Sequence, residues 1–155
     1  MGHFTLALPD AAATKALGAS LALVSRPGLV ILLRGPLGAG KTTLVEGFAR
    51  ALGAGATASP TFVLARSYRG GSMPISHLDL YRLEDAREID ALDLPHYVLR
   101  DGVTLVEWPE RAEHVWPADR IEVDLAIAGA SRAASVSGFG TAAPLVAAIP
   151  SQQRM

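Results

Sequence analysis

The sequence predicts a three-layer α/β fold in which a mixed sheet is flanked by helices. Three observations lead there. Leu29 to Arg34 is a continuous apolar run rich in branched residues, as expected of a strand buried on both faces. A glycine-rich turn, Gly35 to Gly40, carries the chain into a helical stretch, Lys41 to Leu52, with Gly53 as its stop. Farther on, Ile121, Val123, Leu125 and Ile127 alternate with polar or small residues, the pattern of a strand with one exposed face.

The other elements follow in order. Phe4 to Leu8 reads as a short strand. Asp10 is placed to cap a helix in which Ala13, Leu17, Leu21 and Val24 recur at roughly helical spacing, ended by Arg26-Pro27-Gly28. Phe62 to Tyr68 and Ile75 to Leu80, joined through Gly70-Gly71, suggest an antiparallel hairpin. Glu84 to Leu92 suits a short helix and Val103 to Glu107 another buried strand, while Arg132 to Ser137 can pair with the alternating strand. Residues 1–140 read as one domain, and 141–155 as a C-terminal helix or tail with no assigned role.

Composition bounds the function. The 155 residues are 50% apolar, enough for a single core. Fourteen Lys plus Arg against fifteen Asp plus Glu give a net charge of -1, which argues against gripping nucleic acid through a broad basic surface. With no cysteine, a disulfide framework, thiolate metal sites and cysteine nucleophiles are excluded. The longest apolar run, Leu29 to Leu33, is far short of a membrane span, and no basic segment precedes the first apolar residues as in a signal peptide. The expected location is therefore cytoplasmic. The chain has only two lysines, Lys15 and Lys41, and no asparagine.

Gly35-Pro36-Leu37-Gly38-Ala39-Gly40-Lys41-Thr42 fits the pattern G-x-x-x-x-G-K-[ST] between a buried strand and a helix. Such a spacing lets the backbone N–H groups of Gly38, Ala39 and Gly40 turn inward around phosphate oxygens at the positive end of the helix dipole. Lys41 can reach the terminal phosphates, the Thr42 hydroxyl can ligate Mg²⁺, and Thr43 can contact an inner phosphate. The fold expected is therefore that of a P-loop NTPase. Guanine-specific relatives usually read the base with an Asn-Lys-x-Asp segment, so the lack of asparagine favours ATP.

A P-loop needs an acidic residue facing Mg²⁺ from the end of a second strand. Glu107, closing the Val103 run, is the first choice, and Asp79 in His77-Leu78-Asp79 is the second candidate. If both strands flank the P-loop strand, one carboxylate can hold the metal while the other orients or deprotonates the attacking water. The plainer alternative is that either acid caps a helix or pairs with Arg82. Thr61, in Ser59-Pro60-Thr61 after the P-loop helix, can reach Mg²⁺ or the terminal phosphate as a switch residue, or can simply belong to a capped loop. His77 alternates with apolar neighbours and reads as a hydrogen-bonded, partly buried histidine rather than a ligand. Trp108-Pro109 either closes a pocket beside Glu107 or packs into the core.

Taken together these segments resemble the family of small ATPases of bacterial tRNA threonylcarbamoyladenosine biosynthesis. The resemblance runs from Thr14-x-x-Leu17-Gly18 through the P-loop, Ser59-Pro60-Thr61-Phe62, His77-x-Asp79-Leu80-Tyr81-Arg82 and Glu107-Trp108-Pro109-Glu110, over roughly residues 10–135. It implies ATP and Mg²⁺ as cofactors, with Lys41, Thr42 and Thr43 as their contacts and Glu107 as the Mg²⁺-associated acid. It makes Asp79 the carboxylate that supports hydrolysis and Thr61 the switch threonine. It places Arg132 near the base and the segment around Thr14 over it. It also implies a slow accessory ATPase that binds a two-protein threonylcarbamoyl transferase core, a catalytic subunit and its paralogous partner, with tRNA held by those partners. The family usually has Asp or Glu where this chain has Pro36, and the segment after Phe139 matches none of its motifs.

Two further readings use the same loop. The arginines Arg66, Arg69, Arg82 and Arg87 could serve a small-molecule kinase, against which stands the lack of an arginine-rich lid segment. A nucleotide-dependent binding module without hydrolysis would leave Asp79 and Glu107 without a catalytic task.

Overall fold

The computed structural model describes residues 2–56, 65–69 and 71–150. Among them the strands are β1 (His3–Leu8), β2 (Val30–Arg34), β3 (Gly55–Ala56), β4 (Ala65–Arg69), β5 (Ile75–Asp79), β6 (Val103–Glu107), β7 (Arg120–Ala128) and β8 (Ser131–Phe139). They form one sheet in the order β1-β8-β7-β2-β6-β5-β4-β3. The central four, β7, β2, β6 and β5, are parallel, and each outer pairing is antiparallel. Helices α1 (Ala11–Val24), α2 (Lys41–Ala51), α3 (Ala86–Ala91) and α4 (Ala143–Ala147) complete it, with 3₁₀ segments Leu94–Tyr97, Pro109–Val115 and Gly140–Ala142. No described helix is long and apolar enough to cross a membrane.

The two-residue period of β2 divides the core. Ile31 and Leu33 point into a layer with Leu17 and Leu21 of α1 and Leu44 and Phe48 of α2. Val30 and Leu32 point the other way, onto Leu78, Val106, Ile89 and Leu94. Both faces of β2 are thus covered, as its apolar run requires. The side chain of Asp10 caps α1, accepting the N–H of Ala13 at 2.8 Å. Helices α1 and α2 meet backbone to backbone, since a Cβ at Gly18 would lie 2.2 Å from the Leu44 carbonyl oxygen and one at Gly47 2.2 Å from that of Lys15.

The alternation of β7 holds for Ile121, Val123 and Leu125, which are buried while Asp124 and Ala126 are exposed on the opposite face, but not for Ile127, which is 49% exposed at the end of the strand. The hairpin exists as β4 against β5, with Ala65 opposite Leu78 and Tyr68 opposite Ile75; the expected start at Phe62 lies outside the described residues. The helix expected from Glu84 begins at Ala86, because the Asp85 carboxylate accepts the Arg87 N–H at 2.8 Å and stands as the cap.

One expectation is corrected. The strands ending in Glu107 and Asp79 do not both flank the P-loop strand: β2 lies between β6 and β7, and β5 is one place farther out. The inner place goes to β6, all five of whose residues are buried, whereas Ile121, Val123 and Leu125 give β7 an apolar face that fills the other side. Past Phe139, Val146 of α4 and Ile149 just after it, both fully buried, join the layer beneath α1.

Candidate nucleotide site

The loop between β2 and α2 turns back on itself through Gly40, whose φ of 106° no side chain adopts comfortably. Gly40 is also the N-cap of α2 and supplies no side-chain hydrogen bond. The first amides of α2, which have no intrahelical partners, are therefore left for an anion at the positive helix end. Lys41 follows at once and is only 4% exposed. Its Nζ donates to the Gly35 carbonyl oxygen and sits 3.6 Å over the centre of the Trp108 ring. Burial lowers the pKa of the ammonium below the ordinary lysine value, while the charges of Glu107, Glu110 and Asp79 act in the opposite sense.

Beyond Lys41, Thr42 donates its hydroxyl to Glu107, 3.2 Å from Oε2 and 3.4 Å from Oε1. Glu107 is 4% exposed, and its Oε2 also receives Nε2 of His77 at 2.6 Å. Asp79 lies directly opposite Glu107 in the β5–β6 ladder, so the two carboxylates share one end and one face of the sheet despite the corrected strand order. Asp79 is exposed, and its Oδ1 accepts the Tyr81 N–H at 3.1 Å rather than capping a helix or pairing with Arg82. Lys41, Thr42, Asp79, Glu107 and Trp108 line one cavity, with Leu37 and Tyr81 at its rim.

A second cavity lies on the other side of the loop. Thr14 of α1, Thr43 of α2 and Arg132 of β8 line it together with Asp10 and Ser131. Arg132 donates Nε to the Gly38 carbonyl oxygen at 3.1 Å, tying the loop to β8. Gly38, Gly40 and Thr43 line both cavities, so the loop arches between them. Ala39 sits behind the arch, fully buried. Of the candidate site residues, Thr61 falls outside the described residues, together with its neighbours Ser59, Pro60 and Phe62.

The donor set suits the group that the motif implies. A threonine hydroxyl beside a carboxylate is the hard-oxygen pair by which Mg²⁺ is commonly held when phosphates and water supply its other ligands. No cluster of three or more His, Cys, Asp or Glu that could hold a metal occurs among the described residues, so a cage made wholly of such side chains is not on offer there.

Sequence reasoning missed four contacts. The His77–Glu107 bond joins residues on neighbouring strands, and its one local signal is the two-residue spacing that puts His77 on the face of Asp79. Trp108, with φ 58°, occupies a left-handed conformation that costs about 1–3 kcal/mol in a non-glycine residue, and this turn sets its ring under Lys41. Arg34, at the end of β2, binds Glu113 at 2.6 Å and Glu122 at 2.7 Å. Its hydrogen bond to Glu113 is the largest cause of a pKa raised above the usual arginine value. That bond fastens the segment after Trp108 to the strand that carries the loop.

Residues 8–134 match the family described as "Threonylcarbamoyl adenosine biosynthesis protein TsaE". The chain belongs to the TsaE family. Relatives bearing the name tRNA threonylcarbamoyladenosine biosynthesis protein TsaE include one from Synechocystis sp., 49% identical over 109 residues, which are 67% of this chain and 69% of the relative. Another, from Bacillus subtilis, is 42% identical over 117 residues, 75% of this chain and 73% of the relative. The crystal structure of Bacillus subtilis YdiB superposes with a TM-score of 0.78 at 30% identity, covering 94% of this chain and 91% of that one. TsaE membership places the chain in tRNA threonylcarbamoyladenosine biosynthesis, and the fold is the three-layer P-loop type that the sequence predicts.

Proposed function

We propose that the chain is a Mg²⁺-dependent ATPase that serves a two-protein threonylcarbamoyl transferase core, with the tRNA held by those partners in the cytoplasm. The observation that carries this reading is the Thr42 hydroxyl set against Glu107 directly after Lys41, with Asp79 in register beside it. The uncapped amides of α2 receive phosphate oxygens, and Lys41 balances the charge of the terminal ones. Thr42 and Glu107 would hold Mg²⁺, which when bound neutralises charge developing on the phosphate oxygens. Asp79, its carboxylate oriented by the Tyr81 N–H, takes the proton of the attacking water or aligns that water. The cavity of Thr14 and Arg132 takes the nucleoside end, on the far side of the arch from the carboxylates. Thr61 completes the proposal as the residue of the switch loop. The exposed Leu37 and Tyr81 beside the phosphate end suit a site finished by a partner surface.

The test is a reconstituted transferase assay run over many turnovers. Omitting this protein, or supplying Lys41→Ala, is expected to stop modification after about one round, because no ATP is spent to reset the core. Modification that continues undiminished in both cases overturns the reading. A metabolite phosphorylated by the chain at useful turnover would favour the kinase instead.

A further inference from the structure

We propose that His77 is the positioning residue for Glu107: its Nε2–H fixes the carboxylate against Thr42 and so sets how strongly Mg²⁺ tightens nucleotide binding. The inference rests on the reading of Thr42 and Glu107 as the Mg²⁺ pair.

Strand geometry brings the two together. Side chains alternate along β5, so His77 and Asp79 share a face, and Asp79 is the ladder partner of Glu107. His77 therefore lies diagonally behind Glu107, within reach of its carboxylate. The contact is 2.6 Å between groups that are 7% and 4% exposed, where water competes little for either. A carboxylate has only acceptors to give, so the imidazole is the donor and Nε2 carries the hydrogen.

Thr42 alone does not fix the carboxylate. Its hydroxyl is shared between the two oxygens, at 3.2 and 3.4 Å, and the last torsion of a glutamate is broad. The short bond at Oε2 removes that freedom. His77 is itself held firmly, since its strand is paired on both sides, with Arg66 of β4 opposite it on one and Leu105 of β6 on the other. Its neighbours on the same face, Ile75 and Leu105, are apolar and fully buried. A residue needed only for packing at this place would be apolar too, because a buried polar ring is costly unless it is matched. Hydrogen bonds to metal-binding groups from such supporting residues typically change metal affinity by tens of fold when removed.

Binding of a fluorescent ATP analogue to the full chain, in Mg²⁺ and in EDTA, tests the assignment. His77→Ala is expected to weaken binding about tenfold in Mg²⁺ and by less than about twofold in EDTA. His77→Leu fills the space without a donor and should behave alike even if the alanine variant fails to fold. His77→Gln, which returns an N–H donor, should recover most of the Mg²⁺ effect. In a Glu107→Gln background, His77→Leu should add nothing. Equal losses in Mg²⁺ and EDTA, or additive losses in the double variant, would mean that His77 serves packing alone and would overturn the proposal. If the unaltered chain shows no Mg²⁺ dependence, the metal reading itself fails. If it does show one and His77→Leu matches it, only the role of His77 falls.

Discussion

Asp124 shows how an ionisable group away from the nucleotide can still be read for its effect. It stands on the exposed face of β7, among Thr5, Ala7, Ala126 and Ser135, and partial burial raises its pKa, with the positive charge of Arg34 working against that. Between the ordinary aspartate value and the raised one, the folded chain holds a proton that the unfolded chain has released. Stability from this group therefore falls as pH rises through that window. Asp124→Asn should accordingly raise the melting temperature slightly at pH 7 and leave it unchanged near pH 3, measured by thermal melts across pH. A rise of equal size at both ends would assign the gain to something other than charge. The same scale shows what the sequence discloses residue by residue. Lys41 and Thr42 could be identified at once, because phosphate cradling fixes a short local spacing. The partners of Glu107 and Arg34 could not, since His77 is 30 positions from one and Glu122 88 positions from the other.

Between α1 and α2 the glycines decide a distance. Elsewhere in a helix interior, replacing Gly by Ala gains about 1 kcal/mol from backbone propensity. At Gly18 the added methyl would meet the Leu44 carbonyl oxygen at 2.2 Å, and overpacking of this kind costs about 1–3 kcal/mol. Gly18→Ala should therefore lower the urea midpoint, and by parting the helices it should draw Thr14 away from Thr43 and weaken ATP binding. A stabilised variant with unchanged affinity would show that the helices do not need their close approach. Elements were legible in proportion to how locally they are encoded. Strands β2 and β6 announce themselves by apolar runs buried on both faces, and α1 by Asp10 and its spacing. The 3₁₀ segment Pro109–Val115 was not foreseen, for it is held by contacts such as Arg34 to Glu113 rather than by periodicity.

Strand order belongs to the molecule as a whole and was the least legible feature. Nothing local to Ile75–Asp79 says that β6 will come between it and β2. The segment from Ala143 to Pro150 is similar: it lacks a strong pattern, yet Val146 and Ile149 are among the fully buried residues of the layer under α1. Ile149→Ala should cost about 2–5 kcal/mol, read from the urea unfolding curve. A cost below about 0.5 kcal/mol would place the segment after Phe139 outside the cooperative unit. The central position of β2 has a consequence in time. Ile31 is sealed on one edge by Leu105 and on the other by Ile121, so its second neighbour is made about 90 residues later, roughly 5–20 s at ordinary rates of synthesis. Until then at least one edge of the most apolar strand stays open, even after β6 has been made. The phosphate loop is thus made well before the sheet on which it stands is complete.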